Sequence, residues 1–255
     1  MDLAAGLVQD IVNAEHVCVF TGAGISAESG VPTFRGAEGH WRSFRPEELA
    51  TPEAFVANPR LVWEWYQWRR DLLTKVRPNT GHLALAYWES LCQNFTLITQ
   101  NVDGLHRAAG SRRIIELHGN IHINRCFNCG VETSLEFITF TDDVPCCSCG
   151  GMLRPGVVWF GEALPQDAVD AARRAAQACD LFVTVGTSAV VYPAAALPGI
   201  AQQAGAVVIE VNIEETPFTS QAKAHVRGKA GDILPGLVAL YEKTHPHSNA
   251  SIGNP

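Results

Sequence analysis

The strongest constraint on the fold is an alternation of short apolar segments with stretches of helical periodicity. Segments typical of buried strands are residues 16–20, 95–99, 114–117, 181–185 and 207–211. Stretches typical of helices are residues 3–12, 81–91, 167–178 and 193–204. This alternation predicts an α/β fold in which helices cover both faces of a parallel sheet. Ligands of such sheets bind at the carboxyl ends of the strands, so we expect the chemistry there.

Two stretches interrupt the alternation. Residues 32–80 are rich in prolines and aromatic residues and predict a loop followed by helices, whereas residues 122–155 carry paired cysteines. Both are predicted to be inserts that form a small second domain. The main domain then comprises residues 1–31, 81–121 and 156–244. The polar residues 245–255 are predicted to form a flexible tail.

Composition excludes several classes of function. The chain has 255 residues, of which 47% are hydrophobic, so it can bury a sizeable core. No apolar run reaches the roughly 18 residues of a membrane span, and the N-terminus lacks the features of a signal peptide, so we expect a cytoplasmic protein. A net charge of −7 argues against a general nucleic-acid binder. The oligomeric state is not readable, and a monomer is the default expectation.

Four of the eight cysteines form two pairs, Cys126-x-x-Cys129 and Cys146-x-x-Cys149. In a reducing compartment such pairs indicate a metal rather than disulfides. Four thiolates at this spacing predict one tetrahedral Zn²⁺ site with no open position, hence a structural site. Cys147 is an alternative to Cys146 as the third ligand, although the CxxC spacing favours Cys146. Three isolated cysteines are predicted to lie in the core, namely Cys18, Cys92 and Cys179.

A glycine-rich loop, Gly22-Ala23-Gly24 through Gly30, follows the first predicted strand. Glycines in such a loop let the backbone approach a pyrophosphate. The spacing is GxGx5G rather than GxGxxG, so the loop alone is compatible with either a phosphate loop or a tight strand–helix turn. Just beyond it, Phe34 and Arg35 supply an aromatic ring and a cation, or else form a surface loop with a buried ring.

Polar residues follow the other predicted strands. Gln100, Asn101 and Asp103 come after residues 95–99 and predict a pocket that grips ribose hydroxyls, with helix capping as the alternative. His118 follows another strand and suits general-base work, although a lone histidine is also commonly structural. The remaining strand-end residues are candidate ribose or turn residues, namely Gly186, Thr187, Ser188, Asn212 and Glu214. Several polar strand ends in one sheet predict a convergent pocket.

Taken together, these motifs resemble the sirtuin family. The resemblance rests on GAGISAESGVPTFRG at 22–36, TQNVDGLH at 99–106, ELHGN at 116–120, the cysteine pairs, RPGVVWFGE at 154–162, GTSAVVYPA at 186–194 and VNIEETP at 211–217. It extends from about residue 2 to residue 244. It implies a Rossmann-like NAD-binding domain and a small zinc-ribbon and helical module that closes over a cleft.

Carried over by position, the resemblance assigns roles to single residues. His118 is implied to be the general base and Asn101 its catalytic neighbour. The implied cofactor residues are Gly22, Ala23, Gly24, Phe34, Arg35, Gln100, Asn101, Asp103, Gly186, Thr187, Ser188, Asn212, Glu214 and Ala230. The implied peptide clamp, formed by main-chain pairing with an acyl-lysine peptide, comprises Val158, Trp159, Phe160 and Gly161, with help from residues near Val190.

The implied reaction consumes NAD. The acyl-lysine oxygen attacks the nicotinamide ribose carbon, nicotinamide leaves, and His118 takes a proton from a ribose hydroxyl. Water then releases lysine and O-acyl-ADP-ribose, while Zn²⁺ remains structural.

The acyl group is predicted from one departure from the common sirtuin sequence, at Thr33, and from one pair of residues, Tyr66 and Arg69. Thr33 stands where many sirtuins have aspartate, which resembles the class III branch. Tyr66 and Arg69 lie three residues apart on a predicted helix and resemble the pair that lines the acyl pocket in that branch. An arginine fork and a tyrosine hydroxyl suit a carboxylate, so we expect succinyl-, malonyl- or glutaryl-lysine to be preferred. Ala50 is expected to leave room for the acyl group. An ordinary amphipathic helix face is the alternative.

Other functions remain open. The chain could be mainly a deacetylase, or a mono-ADP-ribosyltransferase that shares the first chemical step. A nicotinamide-dependent dehydrogenase would need a redox-type loop, which the glycine spacing argues against. A non-enzymatic zinc-ribbon binding module would leave most of the motifs unexplained.

Overall fold

A computed structural model describes residues 3–32, 44–134 and 144–245. The strands are β1 His16–Thr21, β2 Asn94–Thr99, β3 Ile114–Glu116, β4 Gly119–Cys126, β5 Glu132–Ser134, β6 Leu153–Val157, β7 Leu181–Val185, β8 Val207–Asn212 and β9 Ala224–Arg227. The helices are α1 Ala5–Val12, α2 Ala23–Ala27, α3 Pro46–Leu49, α4 Pro52–Ala57, α5 Pro59–Lys75, α6 Thr80–Leu91, α7 Leu105–Ala108, α8 Gln166–Ala178, α9 Leu197–Gln203 and α10 Ala230–Glu242.

Six strands form one parallel sheet in the order β3-β2-β1-β7-β8-β9. Side chains of β1 alternate between its faces, as the twofold period of a strand requires. Val17 and Val19 pack with α1, α6 and α10, whereas Cys18 and Phe20 pack with α8 and α9. The predicted α/β class, with helices on both faces of a parallel sheet, is therefore confirmed.

A second sheet of three antiparallel strands has the order β5-β4-β6. It extends beyond the predicted insert of residues 122–155, since β4 begins at Gly119 and β6 ends at Val157. Helices α3–α5 and this sheet share an aromatic-rich core. The core includes Phe55, Trp65 and Trp159.

Helix α5 connects the second sheet to the site. Asn58 begins it, because its Oδ1 accepts the Leu61 amide at 3.1 Å and Pro59 occupies the first turn. Arg70 anchors its middle by donating to the Ile121 carbonyl and to Asn124 Oδ1, both at 2.8 Å. These two bonds fix the rotation of α5 against β4.

Within the described residues, no helix combines the length and apolarity that a bilayer crossing requires. Strand β9 and helix α10 are additions to the predicted elements. The predicted helix 193–204 divides into a 3₁₀ turn at Ala194–Ala196 followed by α9.

Candidate active site

The carboxyl ends of β1 and β7 approach each other closely. The amide of Gly24 donates to the carbonyl of Gly186 at 2.9 Å. A Cβ at Gly24 would lie 2.6 Å from the Gly186 Cα, and a Cβ at Gly22 would lie 2.8 Å from the Gly186 oxygen. Gly186 has φ +58°, a conformation that favours glycine. The glycines of this loop are therefore required by backbone–backbone packing as well as by any approach of a phosphate.

A buried polar cluster lies beside this loop. Ser26 donates from Oγ to Asp103 Oδ2 at 2.7 Å and accepts from Asn101 Nδ2 at 3.2 Å. Asn101 also donates to the Gly22 carbonyl at 3.0 Å. The structure thus joins the loop after β1 to the residues after β2, as the convergent-pocket prediction requires.

Asp103 serves two purposes. Its Oδ1 accepts the Leu105 amide at 2.9 Å just before α7, whose N-cap residue is Gly104. Burial raises the pKa of Asp103, while the Leu105 amide and the Ser26 hydroxyl act in the opposite direction. A cofactor would therefore meet a carboxylate whose orientation is already fixed.

His118 is held by the neighbouring strand end. Its Nδ1 lies 2.9 Å from the Gln100 carbonyl oxygen, which can only accept, so Nδ1 carries the proton in the neutral ring. Nε2 then has a lone pair for a substrate proton. Burial lowers the pKa of His118, although the bond to Gln100 opposes this, so the ring is neutral near pH 7. Both features are those of a general base.

The polar layer beneath the cluster includes residues absent from the predicted site. His82 Nε2 lies 3.4 Å from Ser26 Oγ, and His106 Nε2 lies 2.9 Å from Thr21 Oγ1. The two rings are 4.8 Å apart between centroids, and burial lowers their pKa values to about 4 and about 3, respectively. Ser26 was visible within the glycine loop, whereas His82, on α6, carries no sequence signal that links it to the site.

The far end of the sheet edge contains the residues expected near adenosine. Asn212 donates from Nδ2 to the Thr187 carbonyl at 2.7 Å, which ties β8 to the loop after β7. Thr187 is buried and Ser188 half-buried, whereas Glu214 is exposed. Ala230 is buried at the first position of α10. The placement of these residues at one edge agrees with the prediction, and their contacts to a ligand remain a prediction.

A cavity of about 720 Å³, which includes space open to solvent, separates this edge from α5. Ala23, Ser26, Asn101 and Asp103 line one wall. The opposite wall is formed by side chains of α5, namely Trp65, Trp68, Arg69, Leu72 and Leu73.

The predicted acyl-pocket residues occupy different environments. Arg69 lines the cavity, and its Cζ lies 5.0 Å from the centroid of the Trp65 ring. Tyr66 is only 2% exposed, and its hydroxyl accepts the Trp159 indole N–H at 2.9 Å. Burial raises the pKa of Tyr66 to about 12, so it remains protonated. Ala50 is buried and accepts the Phe160 amide at 2.9 Å.

The predicted peptide clamp adjoins the base. The Val158 amide donates to the His118 carbonyl at 2.9 Å. Trp159 is buried, whereas the Phe160 side chain is 48% exposed and Gly161 is exposed. Since the Phe160 amide is already bonded to Ala50, that amide is not free to pair with a peptide. Phe34 and Arg35 lie outside the described residues.

The cysteine cluster bears on the choice between the two alternative ligands, Cys146 and Cys147. The Sγ atoms of Cys126, Cys129, Cys147 and Cys149 all lie within 4.8 Å of one another. The Cys126–Cys149 and Cys129–Cys147 separations are 3.5 and 3.8 Å, close to the roughly 3.8 Å edge of a ZnS₄ tetrahedron with 2.3 Å bonds. This geometry favours the alternative ligand, Cys147, over Cys146. The Cys146 backbone pairs with Met152, and its Sγ points to the Val144 carbonyl.

The fold and site define an α/β protein with a nucleotide-type cleft at the edge of its parallel sheet and a four-cysteine site suited to structural zinc. The model of the Sir2 family matches residues 22–193. The chain therefore belongs to the Sir2 family, which confirms the sirtuin resemblance.

Relatives and solved structures agree with this assignment. The chain is 56% identical to an NAD-dependent protein deacylase of Aquifex aeolicus, over 89% of this chain and 94% of that one. It is 48% identical to NAD-dependent protein deacylase 1 of Archaeoglobus fulgidus, over 93% and 97%. A crystal structure of a Sir2 homologue–NAD complex matches with a TM-score of 0.89 at 46% identity over 95% of both chains. A Sir2 structure bound to acetylated peptide matches with a TM-score of 0.80 at 31% identity, over 92% and 96%.

Proposed function

We propose that this enzyme removes acidic acyl groups, such as succinyl, malonyl or glutaryl, from lysine side chains of proteins. The coarser activity is that of its relatives: the chain is an NAD-dependent protein deacylase, with NAD as co-substrate and one structural Zn²⁺. The observation that carries the finer proposal is the position of Arg69 in the wall of the cavity, opposite Asn101 and Asp103.

NAD supplies the electrophilic ribose carbon when it is bound. Ser26, Asn101 and Asp103 would hold its nicotinamide end, since they line the cavity as a hydrogen-bonded set. The backbone around Gly22, Gly24 and Gly186–Ser188 would hold its phosphates. Asn212, Glu214 and Ala230 would lie along its adenosine end, as the family resemblance implies.

His118 would take a proton at Nε2 from the ribose hydroxyl that attacks the acyl carbon. The Gln100 carbonyl fixes the tautomer that this step requires. The acyl-lysine peptide would lie along Val158–Gly161, next to His118, and the free backbone groups of this segment would pair with it.

Two groups of α5 would recognise the acyl carboxylate: Arg69, which lines the cavity, and Tyr66, which is buried beside it in sequence and outside the lining. Arg69 offers a guanidinium fork, and burial lowers its pKa, while the Asp103 carboxylate and, once ionised, the Tyr66 hydroxyl act in the opposite direction. Tyr66 is protonated and offers one O–H donor. A carboxylate can accept from both donors, whereas a neutral acetyl group offers the guanidinium no opposite charge.

The division of the chain stays a proposal as well. We assign residues 1–31, 81–121 and 156–244 to an NAD-binding domain and residues 32–80 and 122–155 to the small domain. Separate hydrophobic cores for the parallel sheet and for α3–α5 with the second sheet support two domains, and the second core also includes Ile121, Val157 and Trp159 at the edges of these bounds.

Arg69→Met tests the acyl preference, because methionine keeps most of the volume and removes the fork. We expect kcat/KM for a succinyl-lysine peptide to fall about 10- to 100-fold relative to an acetyl-lysine peptide, the value of charge-assisted hydrogen bonds. Products are identified by mass spectrometry, with peptides that differ only in the acyl group.

Arg60→Met is the matched control, since Arg60 lies on the same helix and is exposed. An equal loss on both peptides in Arg69→Met would refute the acidic-acyl proposal and leave a general deacetylase. ADP-ribose attached to protein, with no acyl-ADP-ribose, would indicate the transferase alternative instead.

A further inference from the structure

A chain of buried contacts leads from β6 to the hydroxyl of Tyr66. Arg154, on β6, is 2% exposed and donates from Nη2 to Glu162 Oε2 at 2.8 Å and to the Val157 carbonyl at 2.7 Å. The guanidinium Cζ lies 3.3 Å from the centroid of the Trp159 ring. Glu162 accepts the Trp159 amide at 2.8 Å. The ion pair therefore holds both the backbone and the ring of Trp159.

Trp159 connects the ion pair to α5. Its indole Nε1 donates to the Tyr66 hydroxyl across 93 residues of sequence, and both side chains are 2% exposed. An indole N–H can only donate, so it occupies a lone pair of the hydroxyl and leaves the tyrosine proton uninvolved. The remaining O–H direction is then restricted to the other side of the oxygen.

We propose that Arg154 and Glu162 are positioning residues for acyl recognition, which act through Trp159 to fix Tyr66 as a hydrogen-bond donor to the bound acyl group. This inference rests on the proposed acidic-acyl function. It gives a reason for keeping the buried Arg154 guanidinium beside an aromatic core, where burial of charge is costly and Glu162, 21% exposed, is its ion-pair partner. Burial raises the pKa of Tyr66 to about 12 against the opposing effects of Trp159 and Arg154, so the hydroxyl keeps its proton throughout the neutral range.

The hydrogen bond itself is tested without reference to acyl preference. The chain has six tryptophans, and Trp159→Phe identifies the indole N–H resonance of Trp159 by its absence from the ¹⁵N–¹H spectrum. Tyr66→Phe removes the acceptor, so we expect that resonance to move upfield in its proton dimension while the zinc content is retained. An unmoved resonance would overturn the proposal.

The positioning route is tested by a double-mutant cycle on two peptides. In Trp159→Phe, we expect the ratio of succinyl to acetyl kcat/KM to fall about 2- to 10-fold, the value of one hydrogen bond, with the change mainly in KM. In the Tyr66→Phe background the same substitution should leave this ratio unchanged. An equal fall in both backgrounds would show that Trp159 does not act through Tyr66.

Glu162→Gln tests the start of the chain, since it keeps an acceptor for the Trp159 amide but removes the ion pair. We expect a smaller upfield movement of the Trp159 resonance and a smaller fall in the same ratio. Arg154→Lys serves if Glu162→Gln does not fold, and an unchanged resonance and ratio in the folded variant would refute the role of the pair. If Arg69→Met alters both peptides equally, the acyl proposal fails, and the spectrum alone decides whether the pair fixes Tyr66.

Discussion

The two sheets hold their functional residues by different means. At the edge of the parallel sheet, Ser26, Asn101 and Asp103 hold one another through hydrogen bonds between strand-end loops. Beside the second sheet, Tyr66 and Trp159 are held by an aromatic core, by the hydrogen bond between them and by the Arg154–Glu162 ion pair next to it. The first arrangement is a local consequence of where strands end, whereas the second depends on contacts between distant segments.

This difference suggests a division of tasks. Backbone geometry at the parallel edge suits the part of the reaction that does not change, because the same NAD binds whichever acyl-lysine substrate is used. Side-chain packing beside the second sheet suits the variable part, because exchanging one side chain there changes the pocket without altering a strand. Substitutions that affect metal binding, catalysis and packing separately test this contrast.

Cys147→Ser is expected to have the largest effect. Structural zinc contributes about 10–16 kcal/mol of apparent binding free energy in small zinc domains, and losing one thiolate opens the tetrahedron. We expect purified Cys147→Ser to lose its zinc, from one ion per chain to none after dialysis against a chelator. Cys146→Ser, the neighbouring control, should keep its zinc. Zinc retained in the first and lost from the second would restore Cys146 as the ligand.

His118→Ala is expected to act on chemistry alone. Loss of a general base lowers the rate about 100- to 10,000-fold, while the second sheet and its zinc stay intact. Nicotinamide release measures deacylation, and metal analysis measures the zinc content. His16→Ala is the control and should retain full turnover, because His16 is exposed and lies at the amino end of β1, away from the site at its carboxyl end. Substantial turnover by His118→Ala would exclude the base role and place the chemistry elsewhere.

The parallel sheet was predictable because its signals are local. Predicted strand 181–185 coincides with Leu181–Val185, and predicted strand 95–99 differs from Asn94–Thr99 by one residue. Polar residues after each strand predicted the convergent edge, since parallel strands bring their carboxyl ends together. Strand β9 was missed because it is short, partly exposed and placed at the edge of the sheet.

The second region was less predictable because its determinants are not local. The spacing favoured Cys146, but pairing of its backbone with Met152 turns its side chain away from the cluster. The sequence placed Tyr66 and Arg69 on one helix face, yet gave no sign that Trp159, 93 residues away, would occupy the tyrosine hydroxyl. His82 reaches Ser26 across 56 residues in the same way.

Gly24→Ala tests the backbone packing of the parallel edge. Its Cβ would lie 2.6 Å from the Gly186 Cα, and neither backbone can move independently of its strand. We expect the free energy of unfolding in urea to fall by about 1–3 kcal/mol, as in overpacked cores, together with weaker NAD binding. Gly6→Ala is the control, because nothing lies within 4 Å of a Cβ at that position in α1. It should raise stability by about 0.5–1 kcal/mol. An unchanged stability in Gly24→Ala would show that the loops can separate.

The pH dependence of deacylation should reveal the smallest effect, and it reports on the electrostatics of the same edge. Burial lowers the pKa of His118 below its ordinary value of about 6.5, so the neutral base persists to lower pH than an exposed histidine would. Since the base acts when neutral, kcat/KM should be constant above pH 7 and lose less than about fourfold at pH 6. The histidine resonances, assigned by comparison with His118→Ala, give its pKa directly. A midpoint at or above 6.5 would mean that a negative group near His118 outweighs burial, and Asp103→Asn would then show whether the buried carboxylate of the cofactor edge is that group.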